Sequence, residues 1–482
     1  MSKLKYVSEE TTTLFEKANP GKAFIELLWG DSVNVISSRA VDGKVLVTAR
    51  GCTGYVAKKD LGDTPLLEVY FIDVGQGDGI LIVTPDRRHI MIDGGYSRKS
   101  QPHDKSAADF VDWKFFRDYS SNTIELEAMI ASHNDADHYG GLWDLINPEL
   151  KTGLDTTHLS IKNFYHAGVC WWKAPGKKRF LGNKKNGYLT DIIEDRTSME
   201  KALTNPSLSL QGEWASFLQC VVDLNCSVKR LGFDPDEDFA YVPGFHPDES
   251  NVSLKVLGPI VSKQNGKTIL RDLGIDSQNT NGNSILLRLD YGRTRVLLTG
   301  DLNKKSQQEI LEIFTGRRQE LAADIMKACH HGSDDCSFEF LESVQPSATI
   351  ISSGDNETHA HPRPNIVAAS AVTGFRKIEK DEMITPLVYS TEISRSMRVG
   401  LPSKAEVNGT SYKEEEVNIH FERRNSGALK GSKRIKKLSE LKVIDGIVYG
   451  LVNVRTDGEN IVCATLNEGK YKWDIKRFTS RF

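Results

Sequence analysis

Histidine and aspartate crowd into residues 132–141, SHNDADHYGG, where His133, Asp135, Asp137 and His138 fall within six consecutive positions. Imidazole nitrogens and carboxylate oxygens are the standard ligands of divalent cations, and a tight turn can aim several at one point. Burying so many ionisable groups is costly unless cations offset the charge. The plainer alternative is a solvated polar loop, which would need none of the donors found further along the chain.

Such donors do recur, each at the end of an apolar run. His166 ends IKNFYH, Asp301 follows VLLTG, His330 and His331 follow ADIMKAC, and His359 and His361 follow ATIISS. These motifs take up seven of the chain's 12 histidines. Taken singly, His166 reads equally as a packed or capping histidine, Asp301 as a turn former, and His359 and His361 as loop residues. Asp78 and Asp93 also sit at strand ends. Gly75-Gln76-Gly77 could be read as a phosphate cradle, but a strand follows it where that cradle needs a helix.

The runs that carry these donors read as buried strands because they are short, apolar and closed by turn residues. LEVYFI, GILIV and HIMID form a meander; NSILLRL and RVLL form a hairpin; helical spacing appears at 107–119, 142–146, 304–314 and 337–344. Residues 132–141 themselves are expected to form a loop. Residues 1–20 read as a polar helical lead-in, and 170–250 as a largely helical insertion. Residues 21–64 alternate short β-runs with turns at roughly ten-residue spacing. WGDSVNV, GYV and KDLG there resemble the bacterial SH3-like barrel, a general binding module. Residues 391–438 read as a charged linker and 439–482 as a separate small β-domain.

Composition narrows the class. A 482-residue chain with net charge -3 is not, as a whole, a polybasic nucleic-acid or membrane binder. Charge is uneven, however, with a basic run at Lys430, Lys433, Arg434, Lys436 and Lys437. The seven cysteines are scattered and form no CxxC pair, which argues against a disulfide framework or a zinc ribbon. Nowhere do eighteen apolar residues run together, and the start lacks a secretion signal. A soluble cytoplasmic protein without membrane partners is expected.

The order HNDADHYGG, LLTGD, HHGS, HP resembles the metallo-β-lactamase superfamily. Within it, DVGQGD together with HHGS resembles the branch containing the hydrolase domain of the DNA-uptake protein ComEC. The resemblance spans about residues 66–370. It implies an α/β (α+β) fold, the αββα sandwich, with a binuclear metal site along one edge. By resemblance, His133 and Asp135, with His166 as a third ligand, would bind one ion. Asp137, His138 and His331 would bind the second, and Asp301 would bridge them. Asp78, Asp93, His330 and Ser333 would sit in the surrounding shell, with exchange between His330 and His331 left open. Asp135 stands where many members carry histidine, so Mn2+ is as plausible as Zn2+. No counterpart of the competence proteins' membrane channel is seen, so DNA import is not expected.

A water between two cations would be ionised near neutral pH, with Asp137 orienting it and His361 or His359 protonating the leaving oxygen. Arg363, held between two prolines, could contact an anionic substrate. These features point to a phosphodiesterase, with nucleic acid, DNA or RNA, as first substrate. Two alternatives stand beside it. One is a hydrolase of a small phosphorylated metabolite, nucleotide signal, lactone or thioester. The other is an effector in a stress or phage-defence system, activated by a protein partner through the terminal β-domains.

Overall fold

The computed structural model describes residues 3–19, 21–100, 106–354, 361–391, 398–400, 404–407, 410–413, 418–421, 434–437, 443–445, 451–467 and 472–482. These residues form two units, 1–394 with 449–482, and 395–448. The first unit holds the donors.

Its centre is two sheets face to face. The larger has nine strands, in the spatial order Ser227–Arg230, His158–His166, Thr123–Ala131, His89–Gly94, Gly79–Val83, Leu67–Phe71, Val452–Thr456, Asn460–Asn467, Lys472–Thr479. The smaller has six, Val252–Gly258, Leu286–Tyr291, Thr294–Leu298, Ile325–Lys327, Ala348–Ile351, Leu387–Ser390. One apolar cluster, including Phe71, Ile82, Ile130, Leu254, Val296 and Ile350, fills the space between them. A second lies outside the larger sheet under the helices Ala136–Ile146 and Gly212–Asp223; a third lies outside the smaller sheet under Lys304–Ile313 and Phe338–Val344. This is the αββα sandwich: strands buried on both faces, hence their unbroken apolar runs.

Both sheets change from antiparallel to parallel pairing partway across. In the larger sheet, His89–Gly94, Thr123–Ala131 and His158–His166 run parallel. In the smaller, Thr294–Leu298, Ile325–Lys327 and Ala348–Ile351 do the same. Ser227–Arg230 and Leu387–Ser390 continue the parallel pairing. Parallel neighbours need a crossover, here supplied by helices, and the four parallel strand C-termini of each sheet then fall on one edge. That geometry collects the donors.

Several sequence expectations are corrected. Residues 1–20 contain strands, not a helix: Lys3–Val7 and Thr11–Phe15 join a seven-stranded sheet spanning residues 3–62. The β-branched run Thr11-Thr12-Thr13 favours the extended backbone. Residues 452–479 are not a separate domain, because Val452–Thr456 pairs antiparallel with Leu67–Phe71 and extends the larger sheet. The insertion is less helical than its polarity suggests, with only Arg196–Thr204 and Gly212–Asp223 helical among its described residues. In the second unit, the expected linker contains paired strands, Lys404–Val407 with Thr410–Lys413 and Asn418–Phe421 with Arg434–Lys437.

Candidate metal centre

Residues 132–141 are half turn and half helix. The strand Thr123–Ala131 ends, Asp135 takes the N-cap position, and Asp137 and His138 lie in the first turn of Ala136–Ile146. Gly140 and Gly141 are inside that helix, not in a loop. A Cβ on Gly141 would lie 2.1 Å from the Gly94 carbonyl oxygen, so only glycine lets this helix rest on the neighbouring strand end. Gly77 has the same role, since its Cβ would lie 1.9 Å from the Asp137 carbonyl. The turn 75–79 is thereby pressed against the start of the helix.

Three histidines are held by one arrangement. His133 Nδ1 lies 3.0 Å from Ser132 Oγ and 3.2 Å from Ser284 Oγ. His138 Nδ1 lies 2.8 Å from Asp93 Oδ2, and His331 Nδ1 lies 3.0 Å from the Ser352 carbonyl. With Nδ1 engaged, each ring presents Nε2, and all three Nε2 atoms are buried without a hydrogen bond. They converge on Asp301, whose Oδ2 lies 3.3 Å from His138 Nε2 and 3.0 Å from His331 Nε2. His331 Nε2 is also 3.5 Å from Asp137 Oδ2. Four compact sets result among the described residues, His133 with His138 and Asp301, Asp137 with His138 and His331, and two that add Asp78, with Asp301 and His331 or with Asp93 and His138, each with ligand atoms within 4.8 Å of one another. Orphaned imidazole nitrogens oriented through their other nitrogen are the usual mark of metal-ligating histidine. The residues present therefore fit divalent cations.

Backbone strain accompanies the cluster. Asp93, His330 and His331 all have positive φ, at 54°, 47° and 53°. Non-glycine residues enter that region at a cost, and such cost concentrates at functional sites.

The local field is negative. Burial would depress the His138 and His331 imidazoles, but Asp301 together with Asp93 for His138, and with Asp78 and Asp137 for His331, outweighs it and holds both well above the ordinary histidine range. Burial would raise Asp301, yet His331 and His138 hold it well below the carboxylate range. His133 is pushed down to about 3 by burial and by His138, and is therefore neutral, the form that donates a lone pair to a metal. Asp135 is pushed up to about 7 by burial and by the Asp137 carboxylate beside it.

The predicted site residues separate into groups. His133, Asp137, His138, Asp301 and His331 come together. Asp135 Oδ2 is 3.9 Å from His133 Nε2, just beyond the compact sets. His166 is buried and in register with Ala131, but its ring packs against Phe164 and it joins none of those sets. His331 is deeply buried, whereas His330 is half-buried, 3.2 Å from Asn281 Nδ2 and 3.9 Å from Asp301. Asp78 and Asp93 lie beneath the cluster, both within ligand reach of His138. Ser333, His361 and Arg363 line a cleft of about 970 Å3 above it. His359 is outside the described residues.

Sequence reasoning missed Lys327. It is fully buried, ion-pairs with Asp78, and places Nζ 3.5 Å from Asp301 Oδ1 and 2.9 Å from the Gly300 carbonyl. A lysine inside an apolar run of a central strand was the available signal, because such a residue demands a buried acid. Ser284 and Gln76 were missed too; Gln76 Nε2 lies 3.2 Å from Asp137 Oδ2.

No family model matches the chain. A 108-residue stretch is 32% identical to ComE operon protein 3 of Bacillus subtilis, covering 22% of this chain and 13% of that protein. Another of 102 residues is 29% identical to the competence protein ComA of Neisseria gonorrhoeae, covering 21% and 14%. The matches thus span about a seventh of the curated relatives' length. Among solved structures, the metallo-β-lactamase-fold protein YhfI from Bacillus subtilis aligns at 12% identity and TM-score 0.31, over 67% of this chain and 96% of that one. The sequence likeness is therefore to short stretches of competence proteins, and the fold description rests on the sheet order and layers above.

Proposed function

We propose that the chain is a metal-dependent hydrolase of phosphodiester bonds, with nucleic acid as the first substrate to test. The observation that supports this most is the convergence of three buried, unbonded imidazole Nε2 atoms on the Asp301 carboxylate. On this reading His133 and Asp135 would hold one divalent cation, Asp137, His138 and His331 a second, and Asp301 both. The share of carboxylates suits Mn2+ as well as Zn2+. Bound there, two such cations would supply an acidified water and charge stabilisation for the attacking and leaving oxygens.

The chain's own groups supply the rest. Gln76 fixes the Asp137 carboxylate through its amide. His361 lies at the cleft, its ring centroid 5.8 Å from that of His330 and 6.4 Å from that of His331, and is the candidate proton donor to the leaving oxygen. Arg363, on the same wall, offers a guanidinium to a substrate phosphate.

A second reading has an observation in its favour. Glu213, Asp334 and Asp335 also line the cleft, and carboxylates there disfavour a long polyanion. A compact phosphodiester, such as a nucleotide signal, meets less repulsion. The competition between the readings is settled by supplying Mn2+ and comparing single-stranded DNA with bis-p-nitrophenyl phosphate. Cleavage of both supports a nuclease, and cleavage of the small ester alone supports the second reading. Cleavage of neither removes both.

A further inference from the structure

The insertion brings a cation to the cleft that the catalytic reading does not use. Trp172 and Phe180 pair antiparallel through two backbone hydrogen bonds, Trp172 N to Phe180 O at 2.8 Å and Phe180 N to Trp172 O at 3.3 Å. In that register Trp171 faces Leu181, so Arg179, two residues before Leu181, is the diagonal neighbour of Trp171 on the same face. The Arg179 guanidinium accordingly sits over the Trp171 ring, 3.8 Å from its centroid.

Trp171 is itself anchored. It packs against both the apolar cluster under the larger sheet and the smaller cluster around Leu181 and Leu189. Its carbonyl accepts from Gln211 N at 3.0 Å, which brings Gly212 and Glu213 to the same wall. Arg179 is exposed and lines the cleft beside Asp135 and Tyr139, whose ionisation it influences through space. Among the described residues it makes no hydrogen bond or ion pair, so its planar fork of donors is uncommitted. A guanidinium held over an aromatic ring has lost much of its side-chain freedom before any ligand arrives, which lowers the cost of binding one.

Resting on the hydrolase reading above, we propose that Arg179 is a substrate-binding residue that grips a non-bridging phosphate oxygen flanking the scissile bond. Trp171 acts as its positioning residue. With Arg363 also lining it, the cleft then presents guanidinium groups from two parts of the chain distant in sequence. That arrangement selects anionic diesters over neutral esters.

The test uses the full chain and two probes, a fluorescein-labelled single-stranded oligonucleotide followed by anisotropy and bis-p-nitrophenyl phosphate followed by hydrolysis with Mn2+. A charge-assisted hydrogen bond of typical strength corresponds to about tenfold in affinity. Arg179→Ala is expected to weaken the oligonucleotide or raise KM for the small diester by about that factor, with kcat changed less. Arg179→Lys should restore only part of the loss, because an ammonium lacks the fork. Trp171→Leu, which keeps the charge, should raise KM in the same direction. Wild-type KM and affinity in Arg179→Ala, with wild-type protein active, would overturn the assignment alone. Wild-type protein that neither binds nor cleaves either probe would overturn it together with the hydrolase reading.

Discussion

At residue scale the centre works by engaging one nitrogen of each imidazole to aim the other. Ser132, Ser284, Asp93 and the Ser352 carbonyl do this for His133, His138 and His331. Replacing such an outer partner typically costs ten- to a hundredfold in metal affinity. Ser284→Ala is therefore expected to lower Mn2+ affinity about tenfold, measured by titration calorimetry. His361→Ala should reduce kcat by roughly a hundredfold or more if that ring is the proton donor. The loss should shrink for an ester with an acidic leaving group, which needs no proton, and an equal loss for both esters would argue against the role. Lys327 belongs here too. Lys327→Met would take from the buried Asp78 its lysine partner, a loss of about 3 kcal/mol read by urea denaturation. The clustered aspartates and histidines stood out in the sequence because they sit at or just after the ends of apolar runs. Lys327 carried only the signal of a lysine inside an apolar run, and Ser284 carried none, since a lone serine has no spacing pattern of its own.

Among the elements, the C-terminal strands are structural members of the larger sheet. Val452, Val454, Ile461, Cys463 and Phe478 all contribute to the cluster between the sheets. Truncation after residue 448 would uncover that cluster and leave Leu67–Phe71 as a bare edge, so the truncated chain is expected to be insoluble or molten by near-UV circular dichroism. Their alternation identified them as strands; their partner is almost 400 residues away in sequence, and period alone cannot name it. These strands also fasten the N-terminal sheet. The fully buried Arg455 donates to the Leu28 and Trp29 carbonyls and pairs with Asp31 at 2.7 Å, while Arg50 pairs with the same carboxylate at 2.8 Å. Burial would raise Asp31, but Arg455 and Arg50 outweigh it and hold it far below the usual carboxylate range. A carboxyl with a depressed folded-state pKa stabilises fully above its unfolded value, about 3.9, and loses that contribution as pH falls further. Asp31→Asn should be less stable at pH 7 yet show a flatter decline in stability below about pH 4, by denaturant titration across pH.

Across the whole molecule, the site exists because two sheets each place the ends of parallel strands on a shared edge. His133 and Asp93 come from one sheet; Asp301 and His331 come from the other. The sandwich and its site edge were implied by the family resemblance that the motif order carries, while the buried strands and helices were legible as apolar runs and helical spacing. The N-terminal helix and the free-standing C-terminal domain were misread because local polarity and chain distance concealed long-range pairing. Among the described residues no helix is long and apolar enough to cross a membrane.

Elemental analysis of the purified chain after dialysis against Mn2+ or Zn2+, beside the Asp301→Ala variant shown to be folded by circular dichroism, reaches the central claim most directly. Two ions per wild-type chain, falling sharply in Asp301→Ala, is the expected result. A wild-type chain that retains no metal, or a variant that retains as much as wild type, would contradict it.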